Sequence, residues 1–167
     1  SSAASDVYKR QGYQPIKYTL DDPYYDNGGY NTNAVPLMRY AEILLNYAEA
    51  KQELGTFNDA DWSKTIGALR SRAGITSGTN TLPTKVDTYL KNTFFPEVNS
   101  PVLLEIRRER QVELALEGFR FNDLKRWKLG PLMANLPWTG IYIPALDKLI
   151  DIDHNGTPDV VFYDGSK

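Results

Sequence analysis

Residues 109–127 read ERQVELALEGFRFNDLKRW, and the way their charges are satisfied decides the fold. Acids and arginines are interleaved there with Leu, Ala, Phe, Val and Trp, the side chains of a protein interior. Charges so dense among core residues have to be paired, because an unpartnered buried charge is strongly unfavourable. The stretch is therefore expected to form one wall of a helix–helix interface wired by arginine–carboxylate pairs.

Extended upstream, the same segment predicts a helix from Pro101 to Glu117, with Ser100 as N-cap and Gly118 as its stop. Its apolar positions nearly encircle the axis, which makes it a central helix. Glu105, Glu109, Glu113 and Glu117 follow one another at i, i+4 spacing, and like charges in line repel unless cations meet them. Arg108 and Arg110 are local. Arg39, Arg70, Arg72, Arg120 and Arg126 can arrive from neighbouring elements, each with a planar fork suited to a carboxylate.

Further upstream, Pro36 sits where a helix can begin, and Leu37, Tyr40, Ala41, Leu44, Leu45, Ala48 and Leu54 recur at helical spacing up to Gly55. A second helix is expected over Asp59–Ala73, with Asp59 or Asp61 as N-cap, a stripe of Trp62, Ile66 and Leu69, and Gly74 as its end. The two make one tetratricopeptide-like hairpin, which cannot bury its own apolar face and must lean on the helices that follow. Residues 76–81 form a Ser/Thr/Gly linker, Pro83–Asn92 a short helix, and Phe121–Trp127 another, broken by Gly130-Pro131. The fold class is mainly α, with a loop-rich C-terminal tail containing a short hairpin, for which Val160–Tyr163 supplies one strand. Residues 1–11 lack periodicity and are set aside as an assembly scar. Residues 12–35 form an irregular lead-in, and 36–167 the helical domain.

With 167 residues and 41% apolar content, the chain suits one domain with a real core. A net charge of −2 gives no electrostatic pull towards nucleic acid. The absence of cysteine excludes disulfides, thiolate catalysis and zinc–thiolate sites. No signal peptide opens the chain, so it is expected to be a piece of something longer. Catalytic patterns fail one by one. A di-iron bundle needs paired Glu-x-x-His motifs, and the single histidine is His154 in the tail. No nucleophile elbow, Walker loop or dinucleotide fingerprint occurs. The loop from Asp151 to Asp159 places oxygen donors Asp151, Asp153, Asn155, Thr157 and Asp159 around Gly156, a pattern that suits calcium. Phe162 stands where an EF-hand has its bidentate Glu, and an Asn-Gly turn decorated with acids is the plainer reading. Among the loop aromatics, Tyr24, Tyr25, Trp138 and Tyr142 are candidates for stacking on sugar faces.

Three stretches carry a resemblance. RYAEILLNYAEAKQELG (39–55), IGALRSRAGI (66–75) and LLEIRRERQVELALEGFRFNDLKRW (103–127) resemble, in this order, the markers of the SusD/RagB family. These are glycan-binding lipoproteins of outer-membrane nutrient-uptake systems. The third stretch matches the family's signature at every named position. In the second, Gly67 stands where the family usually has Asn. The tail YIPALDKLIDIDHNGTPDVVFY (142–163) is similar to the family's Pro-containing end. The resemblance implies non-catalytic capture of an oligosaccharide or polysaccharide and delivery to a SusC-like TonB-dependent transporter. It implies an outer-membrane, cell-surface location through a lipid anchor upstream of this chain, and no required cofactor. It also makes Glu109, Arg110, Glu113, Glu117, Arg120, Asp123 and Arg126 fold-holding residues, not ligand contacts. The alternative is a helical-repeat protein–protein adaptor without glycan binding.

Overall fold

The computed structural model describes residues 17, 18, 24, 34–135, 143, 145–151, 155–163 and 165. The chain divides into two compact units. Residues 36–136 make the first, and the described residues of 1–35 and 137–167 make the second. The fold is mainly helical, with one short two-stranded hairpin.

In the first unit, α1 spans Tyr40–Glu53 and begins four residues after Pro36. Arg39 is its N-cap residue, in extended backbone, and the side chain does not cap; it is committed elsewhere. The buried face of α1 is Ala41, Leu45 and Ala48, an i, i+4, i+7 stripe. Leu37, Tyr40 and Leu54, expected on that stripe, are exposed instead. Gly55 then turns the chain in the left-handed conformation, which suits a residue without Cβ.

The expected second helix is present in three pieces: α2 at Asp59–Trp62, a π turn at Ser63–Gly67, and α3 at Ala68–Arg72. Its N-cap is Asn58, with Asp61 completing a reciprocal capping box: Asp61 N–H donates to Asn58 Oδ1 at 3.0 Å and Asn58 N–H to Asp61 Oδ2 at 3.3 Å. The π turn coincides with a close approach. A Cβ on Gly67 would lie 2.0 Å from the carbonyl oxygen of Thr79. The linker is thus strapped onto the helix, and Trp62 Nε1 donates to Gly78 O at 3.0 Å alongside.

Next comes α4, Thr88–Phe94, five residues later than the expected helix start because Asp87 supplies the cap, accepting from Leu90 N–H at 2.9 Å. Then α5 runs Pro101–Glu113, capped by Ser100 Oγ with Pro101 in the first turn. It stops four residues before Glu117, because Leu116 (φ 65°) and Gly118 (φ 83°) both take left-handed backbone. The chain restarts as α6, Phe119–Arg126, and as α7, Gly130–Asn135. Gly130-Pro131 therefore opens a helix, as proline in a first turn can, and does not merely break one.

One core joins Ala41, Leu45, Ala48, Trp62, Ile66, Leu69, Ile106 and Leu114; another joins Leu90, Phe95, Val98 and Leu104. Leu104 and Ile106, two residues apart on α5, serve different cores, which is why apolar residues encircle this helix. In the second unit, β1 (Leu149–Ile150) pairs antiparallel with β2 (Val160–Val161), Leu149 opposite Val161 and Ile150 opposite Val160.

Candidate functional site

The acidic flank of α5 meets arginines from both arms of the helical hairpin. Arg70, on α3, reaches two consecutive steps of the seam: Nη2 bonds Glu105 and Nε donates to Glu109 Oε2 at 3.0 Å. Arg39, just before α1, donates from Nη1 to Glu113 Oε1 at 2.7 Å, and from Nε and Nη2 to Glu117 at 2.9 and 2.5 Å. Glu117, four residues past the end of α5, thus shares one guanidinium with Glu113. Arg72 Nη2 adds a second bond to Glu113 at 2.6 Å, and Arg108 a second to Glu105. Hydrogen bonding, foremost from Glu117, raises the Arg39 pKa above its ordinary value despite burial. Arg70 follows the same balance: burial pushes it down, and its two glutamates more than restore it.

A second cluster joins α1, α5 and α6. Arg110 Nε donates to Asp123 Oδ2 at 2.7 Å and its Nη1 to Asn46 Oδ1 at 2.8 Å. Side-chain exposures of 6% and 4% make Arg110–Asp123 the most buried of these pairs among the described residues. Arg126 Nε takes the other oxygen of Asp123 at 2.7 Å, while its Nη1 and Nη2 grip Glu49 at 2.8 and 2.6 Å. Trp127 Nε1 donates to the same Glu49 at 2.7 Å, and its ring lies between Arg126 and Arg107, at 4.6 and 4.7 Å from the centroid. Burial lowers the Arg126 pKa, but Glu49 and Asp123 together raise it overall.

Arg120 differs from the other expected members of the network. Among the described residues it forms no ion pair, its Nη1 is buried without a hydrogen-bond partner, and burial lowers its pKa against the opposing charge of Asp123. Glu49, Asn46 and Glu105 complete the network and are absent from the family-signature residues singled out in the sequence. The spacing Asn46, Glu49, Glu53 on one flank of α1 was the available signal. Chemically, the network carboxylates accept from arginines, which fixes the helices to one another.

The other candidate residues fall in the second unit. Tyr24 is exposed. Tyr25, Trp138, Tyr142 and Asp153 lie outside the described residues. Asp151 accepts from the N–H groups of Asn155 (3.3 Å) and Gly156 (2.7 Å), and Asn155 Oδ1 from Thr157 N–H (2.7 Å). Asp159 N–H donates to Ile150 O at 2.9 Å, closing the loop onto the hairpin. Among the described residues, no group of three or more acids or histidines converges as a metal site would. No helix among them is long and apolar enough to cross a membrane.

The fold is a helical scaffold in which most of the signature charges are held in ion pairs, with each other or with arginines and acids of the helical hairpin. The chain matches the SusD family over residues 2–155 and belongs to that family. It is 36% identical to SusD-like protein P2 of Formosa agariphila over 104 residues, which is 60% of this chain and 18% of that protein. The match thus spans less than a fifth of the relative's length. No solved structure matches the chain.

Proposed function

We propose that the protein captures an oligosaccharide or polysaccharide without transforming it, at the outer-membrane surface, for delivery to a SusC-like TonB-dependent transporter. A lipid anchor carried by a segment outside this chain would hold it there. The observation that supports the reading is the pairing of the signature acids with arginines, together with family membership: the residues that define the family build a scaffold in this chain. Sugar contact is assigned to the aromatics Tyr24, Tyr25, Trp138 and Tyr142, whose flat rings suit apolar sugar faces. Retardation of the chain in glycan-containing gels, with no release of reducing ends, is the expected result. Released ends would replace capture with hydrolysis, and no retardation on any glycan would favour an adaptor role. Trp138→Ala is expected to weaken retention while leaving the melting temperature unchanged.

Calcium is proposed as a ligand of the Asp151–Asp159 loop, weakly held because Phe162 occupies the place of a bidentate acid. Millimolar calcium should then raise the melting temperature by mass action, and Asp151→Asn should abolish the rise. An unchanged melting temperature would leave the loop as a turn.

A further inference from the structure

Between the end of α5 and the start of α6 lies a cavity of about 290 Å³, with Gln111, Leu114, Phe119, Arg120 and Asp123 in its wall. Two of these residues carry buried polar atoms with no hydrogen-bond partner, Gln111 Nε2 and Arg120 Nη1. Both are donors. The chain takes trouble to bring them together: the left-handed residues Leu116 and Gly118 reverse its direction so that Arg120 returns to the wall that holds Gln111. The nearby acid does not bond them: Asp123 is held by Arg110 at one oxygen and by Arg126 at the other, and the two nitrogen atoms find no acceptor among the described residues. Glu117, the other carboxylate of this turn, is turned to Arg39. The site therefore holds one guanidinium nitrogen and one amide nitrogen that lack an acceptor, beside the apolar walls of Leu114 and Phe119.

We propose that this cavity receives an oxyanion, the carboxylate or sulfate group of an acidic sugar residue. The chemistry follows from the donors. A guanidinium edge and a primary amide present parallel N–H groups to a flat carboxylate or to two sulfate oxygens. The two donor atoms are themselves shielded from solvent in partly buried side chains, so each bond to the charged group counts for more than it would on an open surface. The volume suits a single charged ring or substituent, and the apolar walls accept a sugar's C–H face. The sugar part of this inference rests on the capture reading; the oxyanion part does not.

The test is a titration of the full chain, followed by calorimetry and by the NMR signals of the glutamine side-chain amides, at constant ionic strength. The probes are sodium glucuronate, sodium sulfate and neutral glucose. Glucuronate and sulfate should bind saturably and shift the Gln111 amide, whereas glucose should not. Gln111→Leu and Arg120→Lys should each weaken glucuronate at least about tenfold, the loss of one charge-assisted hydrogen bond. Lys64→Ala, which removes an exposed cation outside the charge network, should leave it unchanged. Absence of saturable binding by the folded wild-type chain overturns the inference and leaves neutral-glycan capture standing. Sulfate binding without glucuronate binding overturns the acidic-sugar assignment, as does glucuronate binding that survives both substitutions. Glucuronate binding in a chain that no polymer retards supports the cavity and counts against capture.

Discussion

The two ends of the charge network are built from the same residue types and balanced differently. Towards α3 and the start of α1, Glu105, Glu109, Glu113 and Glu117 face Arg39, Arg70, Arg72 and Arg108, and most of these arginines touch two acids. Towards α6, the four arginines Arg107, Arg110, Arg120 and Arg126 are met by three acids, Asp123, Glu49 and, beside Arg107, Glu53, of which Asp123 and Glu49 are shared. The first end is electrically closed. The second is short of acceptors, and Arg120 and Arg107 carry the shortfall as buried, unpartnered nitrogen atoms. One signature can thus contain both a fastening and a vacancy for an acceptor, and only the bonding of individual oxygens tells them apart.

The comparison is sharpest at Asp123. Asp123→Ala strips Arg110 of its carboxylate where the side chain is 6% exposed, and it frees Arg126 Nε as well. A loss of about 3–5 kcal/mol is expected in urea or guanidinium unfolding. A loss under about 1 kcal/mol would mean that water screens the pair and that the two ends do not differ in burial. Glu113→Gln probes the closed end. It weakens bonds to Arg39 and Arg72, but Arg72 is half exposed and Arg39 keeps Glu117, so about 1–3 kcal/mol is expected. Were this change to exceed that of Asp123→Ala, the closed end would be the stronger fastening and the ranking would be reversed.

Arg120→Met tests the shortfall from the other side. Removing a charge that no carboxylate holds, while keeping apolar bulk, should be neutral or stabilising by up to about 1 kcal/mol in the same unfolding experiment. A loss of several kcal/mol would show that Arg120 has a partner in solution and that the end is closed after all.

Much of this was legible because helical spacing is a strict geometric rule. Glutamates at 105, 109 and 113 must share a flank on a continuous helix, and core-type residues around them leave arginines as their natural counterions. Glu117 was legible as a seam member only by accident. It belongs there through a chain reversal at Leu116 and Gly118, not through helical phase. Arg120 and Glu49 exchanged the expected roles because pairing depends on which oxygen each guanidinium reaches, and that is set by tertiary packing. The start of α1 was missed for a related reason: Leu37 and Tyr40 continue the apolar pattern, but Arg39 has to leave the helix to reach Glu113 and Glu117. Gly67 was visible only as a departure from the family pattern. Its reason is the Thr79 carbonyl, which leaves no room for the Cβ that asparagine would bring.

The smallest expected effect lies in the hairpin beside the closed end, where Tyr47 Oη donates to Asp61 Oδ1 at 2.9 Å and Lys51 Nζ lies 3.1 Å from Oδ2. Burial pushes the Asp61 carboxyl up, yet the bonds from Tyr47 and Lys51, the lysine charge and the Asn58 N–H together hold it below its ordinary value. A carboxyl depressed on folding contributes stability that is present above the unfolded value, about 4, and lost as pH falls through the folded one. Lys51 is raised, chiefly by its bond to Asp61, so its share persists through neutral pH and disappears only in strong alkali. Melting temperatures of wild type and Asp61→Asn should therefore differ by a constant amount from about pH 5 to 8 and converge below about pH 4. A gap that stays constant to pH 2 would assign the loss to the capping box, where asparagine's own oxygen must replace the carboxylate, and remove the ionic contribution from this corner of the fold.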